Sequence, residues 1–199
     1  QAQRSRRSTG RLRAWLVVLG VILFGRLQTA SAFGDKTSLA NALTEWCADP
    51  SAAEAAHGHI SAWDVSAVTD MSGSSSYPYS GFMPTCLNED IDAWNVSGVT
   101  NMEWMFGSAA AFNQPLEAWD VGQVTNMAAM FSSATAFNQP LEAWDVGQVT
   151  SMWAMFRSAA TFNQPLEAWD VGQVTSMWAM FRSATFNQPL EAWDVGQVT

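Results

Sequence analysis

The sequence has few of the residues that enzymes use for chemistry. It contains two cysteines and two histidines, and no His, Cys or Lys occurs between Leu87 and Thr199. Catalysis needs unlike groups that converge on one point, whereas repeats supply rows of like groups. The sequence also has no glycine-rich nucleotide-binding motif before a helix. His57 and His59 have no Cys or acid at the spacing of metal ligands. We therefore predict no enzyme activity, no cofactor and no metal site.

Positive charge is almost absent after residue 32. Six of the nine basic residues precede residue 33, whereas all 18 acidic residues follow it, so the body of the chain has a formal charge of −15. An acidic body repels phosphate backbones, which excludes nucleic acid as a partner and favours solubility or association with cations. The 48% hydrophobic share, with eleven Trp and eleven Phe, argues against disorder.

The sequence also lacks an apolar run long enough to cross a bilayer. Its best candidate, residues 14–25, has twelve apolar residues against the ~20 that a membrane-spanning helix needs. This run follows an arginine-rich start and precedes Ala30-Ser31-Ala32, which is the order of a secretory signal peptide. We predict that residues 1–32 are a signal peptide removed after Ala32, with an uncleaved membrane anchor as the alternative. In a secreted chain, the two cysteines, Cys47 and Cys86, are expected to form a disulfide.

One stretch of fourteen residues, by contrast, occurs four times. The sequence FNQPLEAWDVGQVT fills residues 112–125 and returns at 137–150, 162–175 and 186–199. Tryptophans 94, 119, 144, 169 and 193 follow at steps of 25, 25, 25 and 24. Such a period is typical of stacked repeats, in which each layer buries its apolar side against its neighbours. We assign residues 60–199 to the repeats, residues 72–90 to a loop insertion and residues 33–59 to an N-terminal helical cap, and we expect further repeats after Thr199.

The pattern within a repeat predicts one strand and one helix. Large apolar residues alternate with other residues over 116–121, as in a short strand with one buried face. Residues 127–134 then place apolar side chains at i, i+3, i+4 and i+7, as on one face of a helix. The predicted fold class is an α/β solenoid, a leucine-rich-repeat-like stack with one short parallel strand and one short helix per 24–25-residue repeat. Identical residues of neighbouring layers should form ladders.

The repeats resemble a known family. FNQPLEAWDVGQVTNMAAMF, NEDIDAWNVSGVTNMEWMF and ISAWDVSAVTDM are similar to the BspA-like, leucine-rich-type repeats of bacterial and mycoplasma surface proteins, which also occur in unicellular algae. WDV, VT, MF and FNQ recur in order at the family's spacing. The resemblance implies an extracellular or surface solenoid that contacts other molecules, and some family members are regarded as adhesins. The chain differs in having Gly122, Gly147 and Gly172 where Ser is common, and in lacking a lipoprotein cysteine.

Two tryptophans do not fit the inward-facing pattern. Trp153 and Trp178 each come one position after an inward Met, with Arg157 and Arg182 nearby. Exposed stacked indoles beside arginines would form a contact surface. The alternative is that the rings fold onto the neighbouring helix and are buried.

The WDV aspartates should lie in a row about one strand spacing apart. They are Asp120, Asp145, Asp170 and Asp194. A row of carboxylates invites weak binding of calcium. Alternatively, each carboxylate accepts the amide hydrogens of the following turn, as Asn95 in an earlier repeat is able to do without charge. Asn95-Val96-Ser97 is also an N-glycosylation sequon.

These features favour a secreted or surface-exposed protein that contacts protein or glycan. The alternative is a structural or cation-binding component of an extracellular matrix. Saturable binding of calcium at about one ion per repeat would favour the second hypothesis.

Overall fold

The computed structural model describes residues 30–76 and 80–199. Residues 1–29, which contain most of the predicted signal peptide, and residues 77–79, in the predicted loop insertion, lie outside this description. Within the described part, no helix is both long and apolar enough to cross a membrane.

Two helices form the N-terminal end of the described chain. Helix α1 spans Lys36–Ala48 and helix α2 spans Pro50–His57, followed by a single 3-10 turn, Ile60–Ala62. Asp35 begins α1 by accepting a hydrogen bond from the Ser38 amide at 2.8 Å, which satisfies an amide that has no partner within the helix. Both helices fall within the residues predicted to form the cap.

A carboxylate and a proline start α2. Asp49 accepts a hydrogen bond from the Ala52 amide at 3.1 Å. Pro50 fills the first helical position, where its missing N–H costs nothing. Leu39, Leu43 and Trp46 of α1 are buried against the first layers of the repeats.

The residues just before α1 also belong to the fold. The Ser31 amide donates to the carbonyl of His57 at 2.9 Å, and the Asp64 amide donates to the carbonyl of Ser31 at 2.9 Å. Phe33 follows, with its amide bonded to the carbonyl of Asp64 at 2.8 Å and its side chain buried. The predicted cleavage after Ala32 would therefore fall within a hydrogen-bonded segment.

Within residues 63–76 and 80–199 there is neither a strand nor a helix, so the predicted α/β solenoid is wrong. Among the described residues the only helices are those named above, and parallel pairing is limited to isolated bridges. One of these bridges joins Ala32 to Asp64, and the other parallel bridges join Asp70, Asn101, Asn126, Ser151 and Ser176 in succession. Each layer is instead a succession of turns around an apolar interior.

Hydrogen bonds between layers replace the helix predicted over residues 127–134. The amides of Met127, Ala129, Phe131 and Ser133 donate to carbonyls of the next layer at 2.7–3.0 Å. The intervening amides of Met130 and Ser132 donate three residues back, at 3.2 and 3.0 Å. An α-helix requires its amides to donate four residues back within the segment. We call this segment, residues 126–133 with its copies 101–108, 151–158 and 176–183, the turn ribbon.

Backbone angles exclude both regular structures from the turn ribbon. Ala129 has φ of 53° and Ser133 has φ of 61°, and the copies repeat these left-handed values. A left-handed residue at every fourth position ends a helix and a strand alike. The successive turns nevertheless direct Met127, Met130 and Phe131 into the core, which explains why their spacing resembled that of a helix.

The predicted strand over residues 116–121 is a turn. The Trp119 amide donates to the carbonyl of Leu116 at 3.3 Å, which closes the chain on itself. Leu116, Trp119 and Val121 are buried while the residues between them are exposed. The predicted pattern of burial is therefore correct, but the predicted strand is wrong.

Identical residues do stack from layer to layer, as the repeats predicted. The rings of Phe106, Phe131, Phe156 and Phe181 follow one another at centroid distances of 5.3, 5.6 and 5.7 Å and are nearly parallel. A second column repeats this arrangement at 6.0–6.1 Å. It contains Phe112, Phe137, Phe162 and Phe186. The core is therefore continuous along the stack.

Candidate functional site

On the side that faces away from the main core, the turn ribbon forms a second, smaller apolar cluster. Trp104, Ala129 and Ala154, at the same position of successive layers, are buried together in a small second cluster, and Trp153 packs against them. Trp153 therefore rests on this second cluster.

The two tryptophans singled out by the sequence lie on this outer side. The rings of Trp153 and Trp178 are stacked, with centroids 5.7 Å apart and planes inclined by 12°. Trp153 is half-buried, whereas 57% of Trp178 is exposed, the largest value for any big hydrophobic residue described. Trp178 covers one face of Trp153 and itself belongs to the last described layer of the turn ribbon, where no further copy of this position stacks on it.

The two arginines occupy another column of the same ribbon. Ser158 donates its amide to the carbonyl of Arg182 at 2.8 Å, which sets Arg157 and Arg182 in directly bonded layers. Among the described residues, Lys36 forms an ion pair with Asp70, and His57 Nε2 lies 2.8 Å from a carboxylate oxygen of Glu45. Neither guanidinium has an ion pair or a hydrogen bond with the described residues. We call Trp153, Trp178, Arg157 and Arg182 the contact surface.

The aspartate row contributes to turns. Each Oδ1 accepts a hydrogen bond from the amide two residues later, for example Asp145 from Gly147 at 3.0 Å. The other members do the same at 3.0–3.1 Å. They are Asp120, Asp170 and Asp194. Asn95 makes the equivalent bond to Ser97 at 3.2 Å without a charge. Within residues 30–76 and 80–199, no group of three or more His, Cys, Asp or Glu side chains is placed to hold a metal ion.

The two cysteines are joined in a disulfide. Cys47 lies near the end of α1 and Cys86 in the predicted loop insertion, with their Cα atoms 6.1 Å apart. Met83 and Leu87, on either side of Cys86, are buried in the core. The bond therefore ties the helical end of the protein to a packed segment.

Asn95 lies at the surface of the first regular layer. Its side chain is exposed, and its Oδ1 accepts a hydrogen bond from the Ser97 hydroxyl at 2.8 Å. The sequon residues thus lie where a glycan would extend into solvent.

A comparison with protein families identifies the repeat. The model of the family described as "Mycoplasma protein of unknown function, DUF285" matches residues 28–121, 50–156 and 139–199. The chain belongs to this family. Its overlapping matches agree with a tandem repeat. No curated protein and no solved structure matches the chain.

In this family member, the Met and Phe positions of the core are constant, whereas two other columns of the turn ribbon vary. Where Met and Phe recur in every layer of the core, one outward column reads Glu103, Ala128, Trp153, Trp178. The arginine column reads Gly107, Ser132, Arg157, Arg182. These two columns are among the positions that distinguish the layers of the turn ribbon from one another.

Sequence reasoning missed two features of the site. Trp104 adopts a positive φ of 56° and lies in the second cluster, although the sequence pattern gave it no role. The FNQ asparagines join neighbouring layers. Asn138 accepts the amide of Asn163 at 2.9 Å and the side-chain amide of Gln164 at 3.2 Å. A pattern of single residues gives no signal for a contact that exists only between repeats.

Proposed function

We propose that the protein is a non-catalytic contact protein, secreted or exposed at the cell surface, that binds protein or glycan through the contact surface. The observation that carries this proposal is a stacked indole pair, a half-buried Trp153 against an exposed Trp178, on the same turn ribbon as two arginines without acidic partners. Aromatic residues and Arg are enriched in the centres of interfaces, where they supply large contact area and fixed hydrogen-bond donors.

Three further features support an extracellular setting. The N-terminal sequence has the order of a secretory signal, and the Cys47–Cys86 disulfide is of the kind that persists in oxidising compartments. The repeats resemble the BspA-like repeats of surface proteins, some of which are regarded as adhesins. None of these features involves a reaction, so catalysis has no part in the proposal.

Binding to cell surfaces tests this function. The fluorescently labelled chain is compared with the double variant Trp153→Ala and Trp178→Ala. Ala128 already fills this position in an earlier layer, so the fold is expected to accept the change. Loss of two central aromatics should weaken binding by roughly tenfold or more. The control is Val195→Ala, because Val195 is the other large hydrophobic residue exposed among those described, at 50%. Undiminished binding of the folded double variant would contradict the proposal.

The acidic row supports a competing proposal, a cation-binding matrix component. Each carboxylate has one oxygen engaged by its own turn, and the other is left for a cation or for water. Titration calorimetry with calcium separates the two functions. Saturable binding at about one ion per repeat, lost in Asp145→Asn and Asp170→Asn, would favour the matrix component.

A further inference from the structure

We infer that the Ala32–Phe33 peptide bond is a proteolytic processing site that the folded protein closes. An endopeptidase that selects small residues then cuts this bond only in a chain whose first layer of repeats has not formed. We call residues 30–33 the strap. The inference concerns the helical end of the protein and not the contact surface, so it does not depend on the proposed function.

The side chains of the strap have the sizes that such an enzyme selects. Ala30 and Ala32 occupy the third and the last positions before the bond, where a signal peptidase takes small residues. Ala32 is also exposed. Hydrolysis adds one water across the bond and leaves a carboxylate on Ala32 and an amine on Phe33. The side chains alone would therefore permit cleavage.

The backbone on both sides of the bond is already engaged. The Phe33 amide, which holds the nitrogen of the bond, donates to the carbonyl of Asp64 at 2.8 Å. Ser31 donates its amide to the carbonyl of His57 and accepts from the amide of Asp64, both at 2.9 Å. An enzyme that binds its substrate as an added strand needs these same donors and acceptors. The strap must therefore leave the first layer before the bond is cut.

The residue after the bond is fixed in the core. Only 5% of Phe33 is exposed, and its ring lies 5.0 Å from that of Trp63 and 5.9 Å from that of His57, centroid to centroid. Withdrawal of the strap would expose this ring to water, which makes opening unfavourable.

Side-chain hydrogen bonds connect the strap to both helices. Ser31 Oγ lies 3.1 Å from His57 Nδ1, and Glu45 Oε2 lies 2.8 Å from His57 Nε2. A neutral imidazole with its proton on Nε2 donates to Glu45 and accepts from the Ser31 hydroxyl. Glu45 belongs to α1 and His57 to α2. The strap is therefore held by a side chain as well as by its backbone.

Gly58 allows the strap to approach the end of α2. Its φ is 76°, and a Cβ placed on it would lie 3.2 Å from the Ala30 Cα. A side chain at position 58 would press on the backbone of the strap. The strap thus lies directly against the end of the helix.

Limited proteolysis tests the inference. The full chain is incubated with pancreatic elastase, whose small S1 pocket selects small residues, and mass spectrometry measures how fast the terminus at Phe33 appears. A peptide of residues 28–38 in the same digest gives the rate for the free sequence. The variants are Ser31→Ala and Phe33→Ala, each compared with a peptide that carries the same substitution. The control is Glu54→Gln, an exposed change on α2.

We expect elastase to cut the peptide and to cut the full chain at least about a hundredfold more slowly, because cleavage follows the small population of opened strap. Ser31→Ala should raise the relative rate roughly twofold to tenfold, as for loss of one hydrogen bond. Phe33→Ala should raise it roughly tenfold or more, since the buried ring is lost. Glu54→Gln should behave as wild type. The repeats should stay uncut in every variant, which separates opening of the strap from unfolding of the chain. Should Phe33→Ala unfold the repeats, Ser31→Ala alone decides.

Three results would overturn the inference. Equal rates in the full chain and the peptide would show that the fold leaves the bond open. An uncut peptide would show that the bond is not a site for this class of enzyme. Cleavage of both variants as slow as that of wild type would show that the contacts of Ser31 and Phe33 do not close it. None of these results bears on cell binding, so the proposed function is tested separately.

Discussion

The indole Nε1 of Trp144 donates a hydrogen bond to the backbone carbonyl oxygen of Leu116 in the preceding layer, at 2.8 Å. The other regularly spaced tryptophans make the same contact at 2.8–3.1 Å. They are Trp94, Trp119, Trp169 and Trp193. Each indole therefore fills its own layer and ties it to the one before, which explains why Trp rather than another aromatic residue marks the period.

Removal of this bond should destabilise the stack. Trp144→Phe removes the indole donor from the buried Leu116 carbonyl, which keeps only the Trp119 amide at 3.3 Å, and we expect a loss of about 0.5–1.5 kcal/mol in the free energy of unfolding. Trp193→Phe is the matched control, because Trp193 is only partly buried and its carbonyl partner is more easily hydrated. Urea unfolding measures both. Equal losses at the two positions would show that the hydrogen bond is not the cause.

The disulfide should stabilise the helical end of the protein. Cys47 and Cys86 close a loop with a sequence separation of 39, for which the chain-entropy model gives about 4 kcal/mol. Denaturant unfolding with and without a reductant measures the effect. The double variant Cys47→Ser and Cys86→Ser should match the reduced wild type and should not respond to reductant. A response in that variant would mean that the reductant acts elsewhere.

The aspartate row should stabilise turns through hydrogen bonding rather than through charge. Asp145→Ala removes the acceptor of the Gly147 amide and should cost about 0.5–1.5 kcal/mol. Asp145→Asn keeps an acceptor, as Asn95 does in its own layer, and should be close to neutral. Thermal unfolding compares the two. A stabilising effect of Asp145→Asn would instead reveal repulsion along the row.

Acid should weaken one contact between the helical end and the repeats. Asp70 Oδ2 lies 3.1 Å from Lys36 Nζ, and Asp70 Oδ1 accepts the Ser72 amide at 2.8 Å. Partial burial works to raise the pKa of Asp70, but the Ser72 hydrogen bonds and Lys36 together lower it below its ordinary 3.8. A group whose pKa is lower in the folded state contributes stability above its unfolded pKa and loses it as the pH falls through the folded value.

The stability advantage of wild type over Asp70→Asn should therefore be constant near neutral pH and shrink below about pH 4. Unfolding by urea between pH 2 and pH 7 measures this difference. Lys36→Met serves as the control, because it removes the cation and retains the Ser72 bonds, and it should abolish only part of the pH dependence. A difference that grows on acidification would have the wrong sign.

The segment before α1 should add to stability. A chain that begins at Phe33, as cleavage after Ala32 would produce, loses both bonds of the Ser31 backbone and the contact of its hydroxyl with His57 Nδ1 at 3.1 Å. We expect it to be less stable than a chain that begins at Ala30 by about 1–3 kcal/mol. Thermal unfolding of the two chains tests this. Equal stability would mean that residues 30–32 are dispensable.

Much of the core was predictable from the sequence. The alternation over 116–121 and the spacing over 127–134 gave the inward side chains correctly, because burial depends on which residues are apolar and how often they recur. The repeat period also predicted correctly that identical residues of neighbouring layers stack on one another. The pairing of Cys47 with Cys86 followed from their number. The exposure of Trp178 was left open, since it depends on a neighbour in space.

The sequence by itself determined that the protein is a tandem array, which residues fill each layer, and that charge is divided between a basic start and an acidic body. Only the tertiary structure decided the backbone. Apolar residues at i, i+3, i+4 and i+7 reach one side from a helix or from two consecutive turns, and a single segment does not distinguish them. The neighbouring layer does, because its carbonyls accept the amide hydrogens of Met127, Ala129, Phe131 and Ser133 that a helix would have used internally.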